Sequence, residues 1–282
     1  MNNMHAIRSL MAGALFSLCS LFASTALAQD AEPAFASGTF HFFDIIVPQP
    51  KEVIQKLLPP GYTLGDAPNV LTKGEKNHVL LVSLGQVIES TMYDSVPLPS
   101  FYDVKLSIPY VKAEGIQGLV VYDIAYFFEN PAMCFGVFAE CQPSTVSMSY
   151  GESGEFSVRR QLQDVFSLPV VQGSYQLDSE NASTALTTAV DTYVNTQLML
   201  GSSPLSCNTI PTSAYPSCLA REDRFSEAST GPRTYRVNLK LKLAEFGCQT
   251  EGLPEVLEVG NVIALEGIMP FRAGTPQTCP PE

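Results

Sequence analysis

Between residues 234 and 244, Lys240 and Lys242 alternate with Leu239, Leu241 and Leu243, and the same two-residue period recurs along most of the chain. Such alternation sends successive side chains to opposite faces of an extended strand, so it commits the chain to sheet rather than helix. Strands are predicted at 38–47, 78–86, 101–111, 117–127, 144–150, 155–162, 234–244 and 256–266, with Gly151-Glu152-Ser153-Gly154 as a hairpin turn. Lys240 and Lys242 then form the wet face of their strand. Helical spacing is confined to two places. One is 50–58, opened by Pro50 and stopped before Pro59; the other is 183–199, where Leu186, Ala189, Val190, Tyr193, Val194 and Leu198 recur on one core-packing stripe. Asn181-Ala182-Ser183 fits a glycosylation sequon, but its Asn and Ser also suit the cap of that second helix, which is the preferred reading. The Ser- and Pro-rich stretch 201–232 reads as a stapled loop or lid.

The amino terminus sets the compartment. Residues 1–9 carry one arginine, 10–22 are apolar and too short to span a bilayer, and Ala26-Leu27-Ala28 is a small-residue cleavage site. A signal peptide at 1–28 and one domain at 29–282 are expected, exported to the periplasm or secreted. Leu18 before Cys19 argues against a lipoprotein, and no later apolar run predicts a membrane span. Six cysteines remain after cleavage: Cys134, Cys141, Cys207, Cys218, Cys248 and Cys279. In an oxidising compartment they read as disulfides, local pairing being the simplest of many connectivities. Metal is not expected, since no Cys-x-x-Cys occurs and the mature histidines are His41 and His78. The mature chain keeps 15 basic and 28 acidic residues, which excludes a nucleic-acid partner and suits solubility.

Four segments in order narrow the fold. An apolar strand at 40–47 precedes Leu57-Leu58-Pro59-Pro60-Gly61; Phe101-Tyr102-Asp103-Val104-Lys105-Leu106-Ser107-Ile108-Pro109 follows; then comes the loop Gly136-Val137-Phe138-Ala139-Glu140-Cys141-Gln142-Pro143-Ser144-Thr145. This order resembles the acetoacetate decarboxylase family over residues 38–165. There a helix ends in Leu-Pro-x-Gly, a strand reads Tyr-x-Glu, and a loop reads Gly-Arg-Glu, four residues, Pro-Lys-Lys. The resemblance implies a mainly β, α+β fold with an antiparallel β-barrel and a few short helices, a small-molecule ligand and no cofactor. It leaves a homo-oligomer open.

The family's chemistry fails to carry over residue by residue. Its first lysine forms a Schiff base with a ketone, the electron sink that decarboxylation of a β-keto acid needs. Laid on this loop, the two lysines become Ser144 and Thr145, and the Arg-Glu pair becomes Val137 and Phe138. No lysine lies between Lys112 and Lys240, so shifting the alignment restores none. The strand acid maps to Asp103. The first-strand arginine has no counterpart, because no Lys or Arg occurs between Arg8 and Lys51.

Candidate sites follow from face-sharing. Asp103, Lys105 and Ser107 lie on one face of their strand and Val104, Leu106 and Ile108 on the other. The resemblance sets Asp103, and Lys105 with it, facing the barrel lumen, where they are candidate catalytic residues, as a relocated amine with its proton carrier, against the alternative of a wet strand face. Phe138, Ser144 and Thr145 are candidate pocket residues. Arg159 and Arg160 face opposite sides, so one of them can enter the barrel as a carboxylate clamp. Ser144 lacks the features of a nucleophile, for no Gly-x-Ser-x-Gly elbow exists, and His41 reads as a satisfied strand residue. Three functions remain: a binding protein, or a lysine-independent enzyme, for a small apolar or carbonyl-containing molecule; a carbon–carbon lyase with a relocated lysine; or a structural scaffold.

Overall fold

Strand-forming sequence dominates because β-branched and aromatic residues fill alternate positions over long runs. The computed structural model describes residues 36–58, 60–114, 116, 118–129, 142–162, 166–194, 197–200, 217–219, 221–223, 230–242, 255–273 and 277–278. Its strands are β1 (Ala36–Pro50), β2 (Tyr62–Leu64), β3 (Asn77–Met92), β4 (Val96–Leu98), β5 (Phe101–Ala113), β6 (Val120–Phe128), β7 (Gln142–Met148) and β8 (Ser153–Leu162). Then follow β9 (Phe166–Ser179), β10 (Gln197–Leu200), β11 (Ser217–Leu219), β12 (Arg221–Asp223), β13 (Thr230–Lys242), β14 (Val256–Ala273) and β15 (Gln277–Thr278). Helices are short: α1 (Lys51–Gln55), α2 (Asn69–Thr72) and α3 (Thr184–Val194).

The long strands close on themselves. Hydrogen-bonded neighbours run β6-β7-β8-β9-β13-β14-β1-β3-β5, and β5 pairs again with β6. All of these joins are antiparallel except β6 with β7. The predicted mainly β barrel is therefore observed. Buried side chains from strands around the ring, among them Phe43, Leu84, Val104, Phe127, Phe156, Tyr175, Tyr235 and Ala264, form one cluster that occupies the inside. Ile54, Leu57 and Leu58 from α1 and the turn after it join that cluster and plug the end to which β1 runs. Each fully buried side chain of this size contributes about 1.5–3 kcal/mol by leaving water. The turn after α1 reverses at Gly61, whose φ of 85° suits glycine and explains its place in the Leu-Pro-x-Gly pattern.

A second apolar layer lies against the outside of β14, β1, β3, β5 and β6. It contains Phe40, Phe42, Leu81, Phe101, Phe128 and Leu265, together with Leu71 of α2 and Leu186, Ala189 and Val190 of α3. Ser183 caps α3, its Oγ accepting from the Leu186 amide at 3.3 Å, so of the two sequon residues the serine makes the cap. Tyr110 on β5 donates its hydroxyl to the Ala189 carbonyl at 2.6 Å and ties the helix down. Two aromatic rings of this layer lie over glycines. A Cβ on Gly85 would run into the Phe40 ring, and one on Gly267 would come within 2.7 Å of Phe42 Cζ. Gly85→Ala should therefore destabilise the fold by about 1–3 kcal/mol through overpacking, read by urea denaturation; an unchanged midpoint would refute the packing account.

Several expectations are corrected. The helix read at 183–199 ends at Val194, and Leu198 lies in β10, paired parallel with β6. Within the stretch read as a stapled loop, residues 217–219 and 221–223 are strands. The strand β9 went unread because Pro169 sits within it; the proline is accommodated at a bulge opposite Arg159. The proposed signal segment, Phe138 and the cysteines lie outside the described residues, save for the backbone of Cys218 in β11.

Candidate functional site

Ser144 stands on the inner wall. It shares the face of Val146 and Met148, which pack on the inner core, and is 1% exposed, with its hydroxyl finding no hydrogen-bond partner among the described residues. Directly across the β7–β8 pair is Arg160, and opposed residues in an antiparallel pair share a face. Thr145 is exposed, opposite an exposed Arg159. Of the two positions at which the resemblance sets lysines, Ser144 faces inward and Thr145 does not. Of the two adjacent arginines, Arg160 shares the inward face.

Asp103 and Lys105 are brought together, on the other side of the wall. Lys105 Nζ lies 2.9 Å from Asp103 Oδ2 and 5.6 Å from the centre of the Phe40 ring; both residues are buried, at 6% and 7% exposure. The wet-face alternative for this strand is thereby overturned. The pair belongs to a row of buried polar groups on the outer layer: Ser83 donates to Asp44 at 2.5 Å and Ser107 to Asp123 at 2.5 Å. Asp103 Oδ1 has no hydrogen-bond partner among the described residues. Because Ser144 faces the inner core and Lys105 the outer layer, a single small ligand cannot touch both.

A third set of groups occupies the barrel end opposite α1. Glu266 of β14 is buried; its Oε1 is 2.5 Å from His41 Nε2 on β1, and its Oε2 accepts from Arg233 Nε at 2.7 Å and from the Tyr235 hydroxyl at 3.4 Å. Burial pushes the Glu266 carboxyl up, but the hydrogen bonds and charges of His41 and Arg233 outweigh it and hold the group at about 2. Burial also raises Tyr235, to about 12, and Tyr150 further, so both hydroxyls stay protonated. Tyr150 stacks on His41 with ring centres 3.5 Å apart and donates to the His41 carbonyl at 3.1 Å. Tyr102 and Tyr175 donate to the carbonyls of Met148 and Ser149, so three tyrosines fasten the segment 148–150 over this end. Sequence reasoning passed over Glu266 and Arg233. The available signal was a lone acid inside the apolar run Ile263-Ala264-Leu265-Glu266-Gly267-Ile268-Met269.

With this geometry in place, the barrel can be set beside solved structures. The enduracididine biosynthesis enzyme MppR complexed with pyruvate superposes with a TM-score of 0.54 at 12% identity, over 92% of this chain and 95% of that one. The chain carries the acetoacetate decarboxylase-like fold. An acetoacetate decarboxylase-like enzyme from Sphingomonas wittichii RW1 matches at a TM-score of 0.52 and 10% identity, covering 90% and 96% of the two chains. No family model and no curated protein matches the sequence. At these identities the likeness shows the fold alone, and the chemistry must be argued from this chain's own residues. Among the described residues no cluster of three or more metal-binding side chains occurs and no helix is long and apolar enough to cross a membrane.

Proposed function

We propose that the protein is exported, acts as one domain from Gln29, and binds a small carbonyl-containing or apolar molecule inside its barrel without forming a Schiff base there. The observation that carries this reading is Ser144: a buried hydroxyl without a hydrogen-bond partner among the described residues, on the inner wall, at the position where the resemblance sets the reactive lysine. Leaving a buried polar group unpaired costs about 1–3 kcal/mol, so a ligand carbonyl that accepts from Ser144 recovers that cost. Arg160 on the same face offers a counter-charge, which favours ligands that carry a carboxylate as well. Pyruvate, held by MppR, is one molecule of that kind.

Calorimetric titration with acetone, a longer apolar ketone, pyruvate and acetoacetate tests the reading. Binding of at least one is expected, with Ser144→Ala weakening it about tenfold, the worth of one hydrogen bond. Arg160→Met is expected to weaken binding of the two acids selectively. Loss of neither affinity would remove Ser144 and Arg160 from the site.

A second reading rests on the buried Asp103–Lys105 pair, an amine held away from water beside an acid that can carry its proton. In that reading the protein is a carbon–carbon lyase working from the outer layer. Borohydride reduction in the presence of each carbonyl compound, followed by peptide mapping, separates the two. No lysine adduct is expected from the leading reading; an adduct on Lys105 would establish the second.

A further inference from the structure

The end cluster contains a charged carboxylate that binding at Ser144 does not use. Burying Glu266 between His41 and Arg233 keeps it ionised, and an ionised carboxylate 2.5 Å from Nε2 fixes the imidazole with its Nε2 hydrogen directed at Glu266. In its neutral form the ring carries its lone pair on Nδ1, which makes no hydrogen bond to any described residue. Tyr150, stacked on the ring, sets its plane. On the other side of the same carboxylate, Arg233 spends its Nε on Glu266 and lies 5.7 Å over the Tyr235 ring, while its terminal nitrogens have no described partner and the side chain is 30% exposed. An oriented base thus stands next to a guanidinium fork whose position is already fixed.

From this we propose that His41 is a proton-transfer group for enolisable carbonyl compounds at the barrel end opposite α1, with Glu266 fixing its tautomer and Arg233 pairing the ligand's negative charge. The ligand class rests on the function proposed above; the place and the chemistry are separate from Ser144. In the step, the Nδ1 lone pair bonds to a hydrogen on the carbon next to the carbonyl. The C–H electron pair becomes the new C=C π bond, and the carbonyl π pair moves onto oxygen to give the enolate. The imidazolium exchanges its proton with solvent and returns one to carbon, so nothing is oxidised or reduced and the net event is hydrogen exchange. Base catalysis by a positioned side chain contributes about 10²–10⁴-fold.

Proton NMR in D₂O follows loss of the methylene signal of 2-oxobutanoate with the full mature protein, and calorimetry follows binding of the same acid. The expected result is exchange about 10²-fold or more above buffer, falling to the buffer rate in His41→Gln with the dissociation constant little changed. His41→Asn serves as the second variant should His41→Gln fail to fold. Binding without exchange, or exchange that survives in the His41 variants, overturns the proposal while leaving the binding function intact. Absence of binding as well as exchange overturns both.

Discussion

Lys105→Met alone should destabilise the protein by about 3–5 kcal/mol, because it strands Asp103 as an uncompensated charge in the outer layer. Asp103 already has one oxygen without a hydrogen-bond partner among the described residues, where the lysine is the principal group that offsets its desolvation. The double variant Asp103→Leu/Lys105→Met replaces both members by apolar groups of similar size among Phe40, Phe42 and Phe101, and should fall within about 1 kcal/mol of the native protein. Urea denaturation of the two variants decides the matter. If single and double variants lose the same stability, the cost lies in packing of the lysine stem and the charge argument fails. The comparison also bears on function: a pair that can be removed without loss of stability, yet is present, is better explained by chemistry than by folding.

Stability should also fall steeply in acid through Glu266. Its folded value of about 2 lies below the ordinary 4.5 of an unfolded glutamate. A depressed carboxyl contributes stability that is fully present above the unfolded value and is lost as pH falls through the folded one. The window therefore runs from about 4.5 down to about 2, and the contribution is on the order of 3 kcal/mol. Glu266→Gln should be less stable than the native protein at pH 7, and the gap should narrow as the pH is lowered through that window. Denaturation midpoints for both proteins at several pH values test this; parallel curves would show that other carboxylates carry the acid response. Deletion of the partner Arg233 should remove part of the same term, since its hydrogen bond is among the interactions that hold the value down.

Much of this barrel can be read from period-two alternation, and the places where reading fails have physical causes. The long strands β1, β3, β5 and β14 stand where alternation sets them, two or more residues longer than predicted because pairing extends past the patterned core. Pro169 concealed β9, for proline is normally excluded from an interior strand and no local signal announces the bulge that admits it. Leu198 and Met199 prolonged the apparent helix because a strand of four residues is too short to break the helical count. Face-sharing placed Asp103 with Lys105 from spacing alone, whereas Thr145, read as a pocket residue together with Ser144, is exposed. Which face of β5 looks into the barrel was not legible, since that depends on how the ring closes between β5 and β6. The His41–Glu266 contact spans 225 positions, and no local pattern reports such a pairing. What did show in the sequence was an acid set between apolar neighbours at Asp44, Asp123 and Glu266, and all three prove to be buried with a polar partner.

The join of β5 to β6 has a consequence for assembly. A strand flanked on both sides has no free row of amide and carbonyl groups to lend, so the ring strands are closed to growth by strand addition wherever both neighbours are paired, and β7 is paired with β6 only at Gln142 and Pro143. Another copy of this chain, or an unfolded neighbour crowded against it, would meet side chains there instead of backbone. If the protein forms oligomers, the ring strands can join them only by matching shapes and charges across side-chain faces, and a net negative surface makes that match demanding.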